Sequence, residues 1–337
     1  METLLITGGC GFIGSNFIRY ILERGLPFRV INLDKLTYAG NPENLRDLEN
    51  HPRYRFHRGD IADEALVVEL AREAQVIVNF AAETHVDRSI GDPRGFIVTD
   101  VLGVYSLLEA ARKGGVRLFL QVSTDEVYGE AGDRPSTEED PLLPKSPYAA
   151  SKAGGDRLAY SYWTTYGTPL LITRCSNNYG PRQYPEKMIP LFLTNALEDL
   201  PLPVYGDGQN SRDWIHVTDH CRALEALIRA EGLEGEVFNI GSGEERSVLE
   251  VARAILRALG KSEDLISFVT DRPGHVRRHA VSTEKLHRAI GFKAQVTFEE
   301  GLEDTIRWYR DNEAWWRRIK SGEFREYYLS TYAGRGI

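Results

Sequence analysis

The segment ITGGCGFIGSNF (6–17) limits what this chain can fold into more than any other. It follows the apolar run TLLIT (3–7) and opens a helical pattern at 14–24. Gly9, Gly11 and Gly14 fit G-x-G-x-x-G, and Gly8, Gly11 and Gly14 fit the related G-x-x-G-x-x-G. Glycines so spaced permit a tight strand-to-helix turn and let the backbone approach a pyrophosphate at the helix N-terminus. Alone the pattern is weak, because a glycine-rich turn can simply be a turn. Its context is informative. The next strand-like run, FRVINL (28–33), ends at Asp34, about 20 residues beyond the last glycine, where a carboxylate accepts from adenosine ribose hydroxyls. An acid there disfavours a 2′-phosphate, so NAD rather than NADP is the expected cofactor. Phe12 and Ile13 in the turn, Lys35 after Asp34, Asp60 and Ile61 in GDI, and Ala81 and Ala82 in FAA complete the expected cofactor path.

Further apolar runs at 54–59, 76–82 and 116–123 alternate with helical patterns at 63–72 and 95–113. Strand–helix alternation implies right-handed crossovers and an α/β fold with a Rossmann-type, doubly wound parallel sheet. After about residue 180 the texture changes, with Pro and Gly frequent in YGPRQYPEKMIP and PLPVYGDGQNSRDW. Helices are expected at 187–198, 218–230, 247–259 and 298–319, and EVFNIG (236–241) is a strand able to return to the sheet. The expected organisation is an NAD-binding domain over 1–180, with about 218–245 returning to it. A smaller C-terminal α+β domain for substrate, over 181–217 and 246–337, closes a cleft against the sheet's C-terminal edge.

Composition removes other classes. The 337 residues are 42% hydrophobic and 27% charged, ordinary for a globular chain. A net charge of −8 argues against a nucleic-acid partner, since phosphate backbones want a basic face. Cys10, Cys175 and Cys221 are odd in number and far apart, so a reducing cytoplasm is expected and a disulfide framework is not. The N-terminus has no basic segment followed by an apolar one, and no run of about 18 apolar residues occurs, so neither a signal peptide nor a membrane span is expected.

Two further motifs carry chemistry. In SPYAASKAGG, Tyr148 and Lys152 stand at i, i+4, one face of a helix. An ammonium and an oxidised nicotinamide nearby would favour the phenolate, which can take the proton of an alcohol while hydride leaves the same carbon. In STDEVYG (123–129), Thr124, Asp125 and Glu126 stand at the mouth of a buried strand. Acids that open a helix there would be the plain alternative, but DEVYG opens no evident helix. Two carboxylates in one site can have their pKa values pushed apart, one protonated and one ionised.

The Thr–Tyr–Lys set resembles the extended form of the short-chain dehydrogenase/reductase superfamily. Within it the chain is similar to the dTDP-glucose 4,6-dehydratase family, through LDKLTYAGN (33–41), AAETHVDRSI (81–90), STDEVYG (123–129), SPYAASKA (146–153), CSNNYGPRQYPEKMIP (175–190), RDWIHVTDH (212–220) and DRPGHVRRHA (271–280). The resemblance implies that Tyr148 and Lys152 oxidise C4 of a hexose while Thr124 polarises the C4 oxygen. Glu126 then takes the C5 proton and Asp125 protonates the departing C6 hydroxyl, in deoxysugar biosynthesis of the rhamnose type. A 4,6-dehydratase of a UDP-linked sugar and a nucleotide-hexose 4-epimerase are the alternatives. Thr84 stands where the family has Ser, and Asp100 and Val104 where Asn and Thr are expected. Thr84, His85, Asn177, Asn178, Lys187, Arg212, Arg272, His275 and Arg277 are the candidate substrate ligands, the cations among them for the diphosphate. The pairs His216/His220 and His275/His279 lack companion ligands with zinc spacing, so no metal is expected. A homodimer is implied, with the helices at 95–113 and 147–166 pairing across a symmetry axis as a four-helix bundle.

Overall fold

A computed structural model describes residues 1–332. Its strands, in chain order, are β1 (Glu2–Thr7), β2 (Phe28–Asp34), β3 (Tyr54–Arg58), β4 (Val76–Asn79), β5 (Leu118–Thr124), β6 (Leu170–Cys175), β7 (Asn177–Tyr179), β8 (Leu202–Tyr205), β9 (Ser211–His216), β10 (Val237–Ile240), β11 (Glu245–Ser247), β12 (Ile266–Val269) and β13 (Arg278–His279). Seven of them form one sheet in the order β10-β6-β5-β4-β1-β2-β3. Every neighbouring pair in it is parallel. Strand β10 is the EVFNIG run, which does return to the sheet.

A parallel sheet must be covered on both faces, and its strands are apolar on both. Along β1, Leu4 and Ile6 face a core shared with the helices Phe12–Glu23 and Val217–Arg229. Leu5 faces the opposite core, shared with Glu64–Ala71, Val104–Gly114 and Pro147–Tyr166. A third core holds Phe192, Tyr309 and Trp316 among the elements of the C-terminal half.

Strand β1 has β2 on one side and β4 on the other, so the chain reverses its direction of travel across the sheet between β1 and β4. Ligands of open α/β sheets bind beyond the strand ends at such a point. The segments 8–14, 34–40, 81–87 and 124–126 all emerge there.

Several elements differ from the sequence reading. The helix expected over 95–113 is present but contains a π-helical turn, Val98–Gly103, between Pro93–Ile97 and Val104–Gly114. The helix expected over 298–319 breaks into Phe298–Asp311 and Glu313–Ser321 at Asn312 (φ −118°, ψ 39°). Asp125–Tyr128, expected to open no helix, forms a 3₁₀ turn with the Thr124 hydroxyl accepting from the Glu126 amide at 3.3 Å. The two acids therefore do enter a short helix.

Candidate active site

A cleft of about 390 Å³ runs along the C-terminal edge of the sheet. At one end lies the glycine turn. Gly8 has φ +68°, and a Cβ there would sit 2.7 Å from the Ala81 backbone. A Cβ on Gly14 would lie 2.4 Å from the Gly8 carbonyl oxygen. Both positions therefore hold the turn closed only as glycine. Asp34 ends β2 facing the turn, accepting from the Cys10 amide at 2.8 Å and the Leu36 amide at 2.7 Å. Its burial raises the carboxyl pKa. Gly11, Phe12, Ile13, Lys35, Asp60, Ile61, Ala81 and Ala82 line the same end, with Lys35 and Asp60 paired at 2.6 Å.

The middle of the cleft is where β5 ends against the helix Pro147–Tyr166. That helix starts at Pro147 behind the Ser146 N-cap, which accepts from the Ala149 amide. The start places Tyr148 in the first turn and Lys152 one turn on, both facing the cleft. The Thr124 hydroxyl hydrogen-bonds the Tyr148 phenol and lies 3.3 Å from Asp125 Oδ1. Asp125 is buried, and its Oδ2 has no partner among the described residues. Desolvation, then the charges of Glu126 and Asp213, push its pKa well above the ordinary carboxyl value. Burial and the neighbouring Glu126 thus both favour the protonated form of the Asp125 carboxyl.

Without the nicotinamide, the protein groups around Tyr148 favour its neutral phenol. Burial first, then the charges of Glu126 and Asp100, push the phenol well above its ordinary pKa, with the Thr124 hydrogen bond opposing. The Lys152 ammonium donates to the Val122 carbonyl at 2.9 Å. These residues by themselves keep the phenol neutral.

Asp100 lies behind this group. It accepts from the Ser151 hydroxyl at 2.7 Å and the Glu83 amide at 3.0 Å. It thus ties the helix carrying Tyr148 and Lys152 to the loop carrying Thr84. Burial pushes its carboxyl up to about 6.

The far end holds the cations. Lys187 caps the helix Met188–Leu197, with its ammonium pKa lowered by burial. Arg212 donates to the carbonyls of Ser211 (2.7 Å) and Val276 (2.9 Å), and to no carboxylate among the described residues. Burial draws its pKa down to about 10, which still leaves it charged at neutrality. Arg272 pairs with Asp87 at 2.8 Å. Buried cations without full compensation favour an anion.

His275, with Nδ1 2.6 Å from Asp271, and Thr84 also line the cleft. His85 lines it with φ +115°, and burial holds the imidazole neutral. Asn177 faces the cleft with Oδ1 unpartnered among the described residues, whereas Asn178 Oδ1 is taken by His220 Nδ1 at 2.9 Å. Arg277 is a correction. It is exposed, pairs with Asp207 at 2.7 Å and is not part of the cleft. In RPGHVRR only Arg272 and His275 of the candidates turn inward, because Arg278 starts β13 and pairs with Glu245.

Sequence reasoning missed the aromatic lining, Tyr184, Tyr205, Trp214 and Tyr332. Tyr205 and Tyr332 stack with centroids 6.0 Å apart and planes at 24°. A signal existed for Tyr332, since Phe324, Tyr328 and Tyr332 recur at i, i+4, i+8.

The profile of the GDP-mannose 4,6 dehydratase family matches residues 5–305. The chain belongs to this family. Among its relatives, a dTDP-glucose 4,6-dehydratase of Streptomyces niveus is 49% identical over 94% of this chain and 96% of that protein. The low-salt glycan biosynthesis protein Agl12 of Haloferax volcanii is 53% identical over 91% of this chain and 98% of its own. Among solved family structures, the Streptomyces venezuelae dTDP-glucose 4,6-dehydratase DesIV, which carries NAD, matches with a TM-score of 0.92 at 48% identity, covering 94% of this chain and 100% of that one.

Proposed function

We infer that this chain is an NAD-dependent dTDP-glucose 4,6-dehydratase, a hydro-lyase that yields dTDP-4-keto-6-deoxyglucose. The observation that carries the reading is the buried Asp125, its carboxyl pKa pushed up, side by side with Glu126 and next to Thr124 and Tyr148 in a cleft with cations at its far end. An epimerase needs only chemistry at C4 and gives the two carboxylates no task.

The residues present fit the cofactor. The glycine turn leaves backbone, not side chain, facing the pyrophosphate position, and Asp34 stands at the end of β2 for the ribose hydroxyls. When bound, NAD supplies a cationic ring beside Tyr148, takes hydride from C4 and returns it to C6.

The chain's own groups move the protons. Tyr148, as the phenolate that the cationic ring beside it favours against burial, takes the proton of the C4 hydroxyl, while Thr124 hydrogen-bonds the resulting carbonyl. The ketone acidifies C5, and Glu126 takes that proton. Asp125 gives its proton to the C6 hydroxyl, which leaves as water. Glu126 exchanges that proton with solvent and then delivers a proton to C5. Only Asp125 needs to start protonated, and burial beside Glu126 supplies that state. Lys187, Arg212 and Arg272 neutralise the diphosphate.

The same reading assigns residues 1–180 with 218–245 to the cofactor and the remainder to the nucleotide sugar, in deoxysugar biosynthesis. It makes the protein cytoplasmic, consistent with three unpaired, buried cysteines. It also makes it a homodimer. Ile97 (52% exposed), Leu102 (47%) and Tyr160 (39%) lie on the two helical segments expected to pair.

The test is conversion of dTDP-glucose, with UDP-glucose and GDP-mannose as controls, read by mass loss of one water. Dehydration of dTDP-glucose at a kcat/KM at least tenfold above either control supports the reading. Epimerised sugar with no water lost contradicts it.

A further inference from the structure

Arg88 lies in the short helix Val86–Gly91, beside the cleft but not lining it. Its guanidinium carbon sits 3.8 Å from the centroid of the Tyr38 ring and 4.1 Å from that of Tyr327. Its Nε donates to Glu186 Oε2 at 2.8 Å, and the Glu186 side chain is 1% exposed. A cation flanked by two rings and paired with a buried carboxylate is a costly arrangement unless every partner is in place.

Each partner belongs to a different wall. Tyr38 is in the loop after β2, where Asp34, Thr37 and Gly40 face the cofactor end, and its hydroxyl donates to the Thr84 carbonyl at 2.6 Å. Glu186 precedes Lys187, the buried cation at the nucleotide end. Tyr327 is in the helix Glu323–Tyr332, where its hydroxyl meets His85 Nδ1 at 3.1 Å. That helix also brings Tyr332 onto Tyr205. The stack therefore forms only when the cofactor wall, the Thr84–His85 loop, the nucleotide wall and the C-terminal helix are all docked.

We propose that Arg88 is a positioning residue that couples the two ends of the cleft, so that NAD and the nucleoside diphosphate each hold the other in place. The proposal rests on the functional reading above. It serves a reaction in which the oxidised sugar and the reduced cofactor must stay together until hydride returns.

Coupling between two ligands is reciprocal and measurable as a ratio. The experiment follows exchange of bound NAD for isotopically labelled NAD in the holoprotein, with and without saturating dTDP. In the wild type dTDP should slow exchange about tenfold, within the usual range for coupled sites. In Arg88→Met the two rates should agree within about twofold. Arg88→Lys keeps the charge but not the planar stack, and should fall between.

Because Arg88→Met strands Glu186, Arg88→Met/Glu186→Gln and Tyr327→Leu are measured alongside. Both should lose the ratio with thermal midpoints near wild type. A purely structural role would lower the midpoint and leave the ratio. A wild-type ratio near one, or an unchanged ratio in Arg88→Met and Tyr327→Leu, overturns the proposal. Absence of dTDP binding to wild type by calorimetry instead counts against the substrate reading, so the two failures are distinguishable.

Discussion

Asp100 accepts from a hydroxyl on one wall of the site and an amide on the other. Asparagine could make the same two contacts, with Nδ2 donating to Ser151 Oγ while that hydroxyl still donates to the Tyr148 carbonyl. The carboxylate thus adds charge and no geometry, and the charge is unfavourable. The folded-state pKa is raised from the ordinary 3.8 to about 6. Between those values the folded protein binds more protons than the unfolded one, so stability falls as pH rises through about 4 to 6. Asp100→Asn should therefore be more stable than wild type at pH 7, by on the order of 3 kcal/mol, and equal to it below pH 4. Urea denaturation at both pH values checks this. Because the Asp100 charge also holds the Tyr148 phenol up, the acid limb of kcat should move to lower pH in this variant. Asp125→Asn removes the proton donor without removing bulk. Dehydration should fall about 10²–10⁴-fold. C4 oxidation should persist, seen as absorbance of reduced nicotinamide accumulating during stopped-flow turnover.

At the scale of elements, the glycine turn is the tightest constraint. Gly14→Ala would put a methyl 2.4 Å from the Gly8 carbonyl and 2.8 Å from Gly9 Cα, both backbone atoms that cannot swing aside. The variant should purify without NAD and lose roughly 2 kcal/mol of stability, as overpacking does; absorbance of the denatured supernatant and urea midpoints read both. This turn, the sheet strands and the Tyr–Lys helix were legible in the sequence because each is a local pattern of adequate length. Strands β8, β11, β12 and β13 were not. They have two to four residues and are fixed by pairing partners distant in sequence, such as Arg278 with Ser211. The break at Asn312 was hidden because apolar spacing continues across it through Trp308, Trp315 and Trp316. The 3₁₀ turn at Asp125 was hidden because one turn carries no periodicity.

At the scale of the whole molecule, most of the site followed from knowing where strands end. Groups that point inward from irregular loops were harder. Arg272 and Arg277 are five residues apart in one basic run, yet one is half-buried against Asp87 and the other is in solvent with Asp207. Nothing in the run itself separates them, because the difference comes from β13 pairing with β9. The C-terminal helix was missed entirely, and it contributes Tyr332 to the cleft. Ile97 and Leu102 expose apolar surface on adjoining turns of the helical stretch 93–114. If the proposed homodimer forms through this face, the wild type should sediment as a dimer and the double variant Ile97→Glu/Leu102→Glu as a monomer, since two carboxylates at the centre of an apolar interface cannot be paired.

The central claim is that Asp125 and Glu126 perform an elimination after C4 oxidation. Turnover of dTDP-glucose in deuterated water, with NMR and mass spectrometry of the sugar, tests it most directly. The account predicts loss of one water and a single solvent deuterium at C5, with the C4 hydrogen of the substrate found at C6. Glu126→Gln should fail to exchange C5. A C5 position that keeps its original hydrogen in the wild-type product, or C5 exchange that survives in Glu126→Gln, would contradict it.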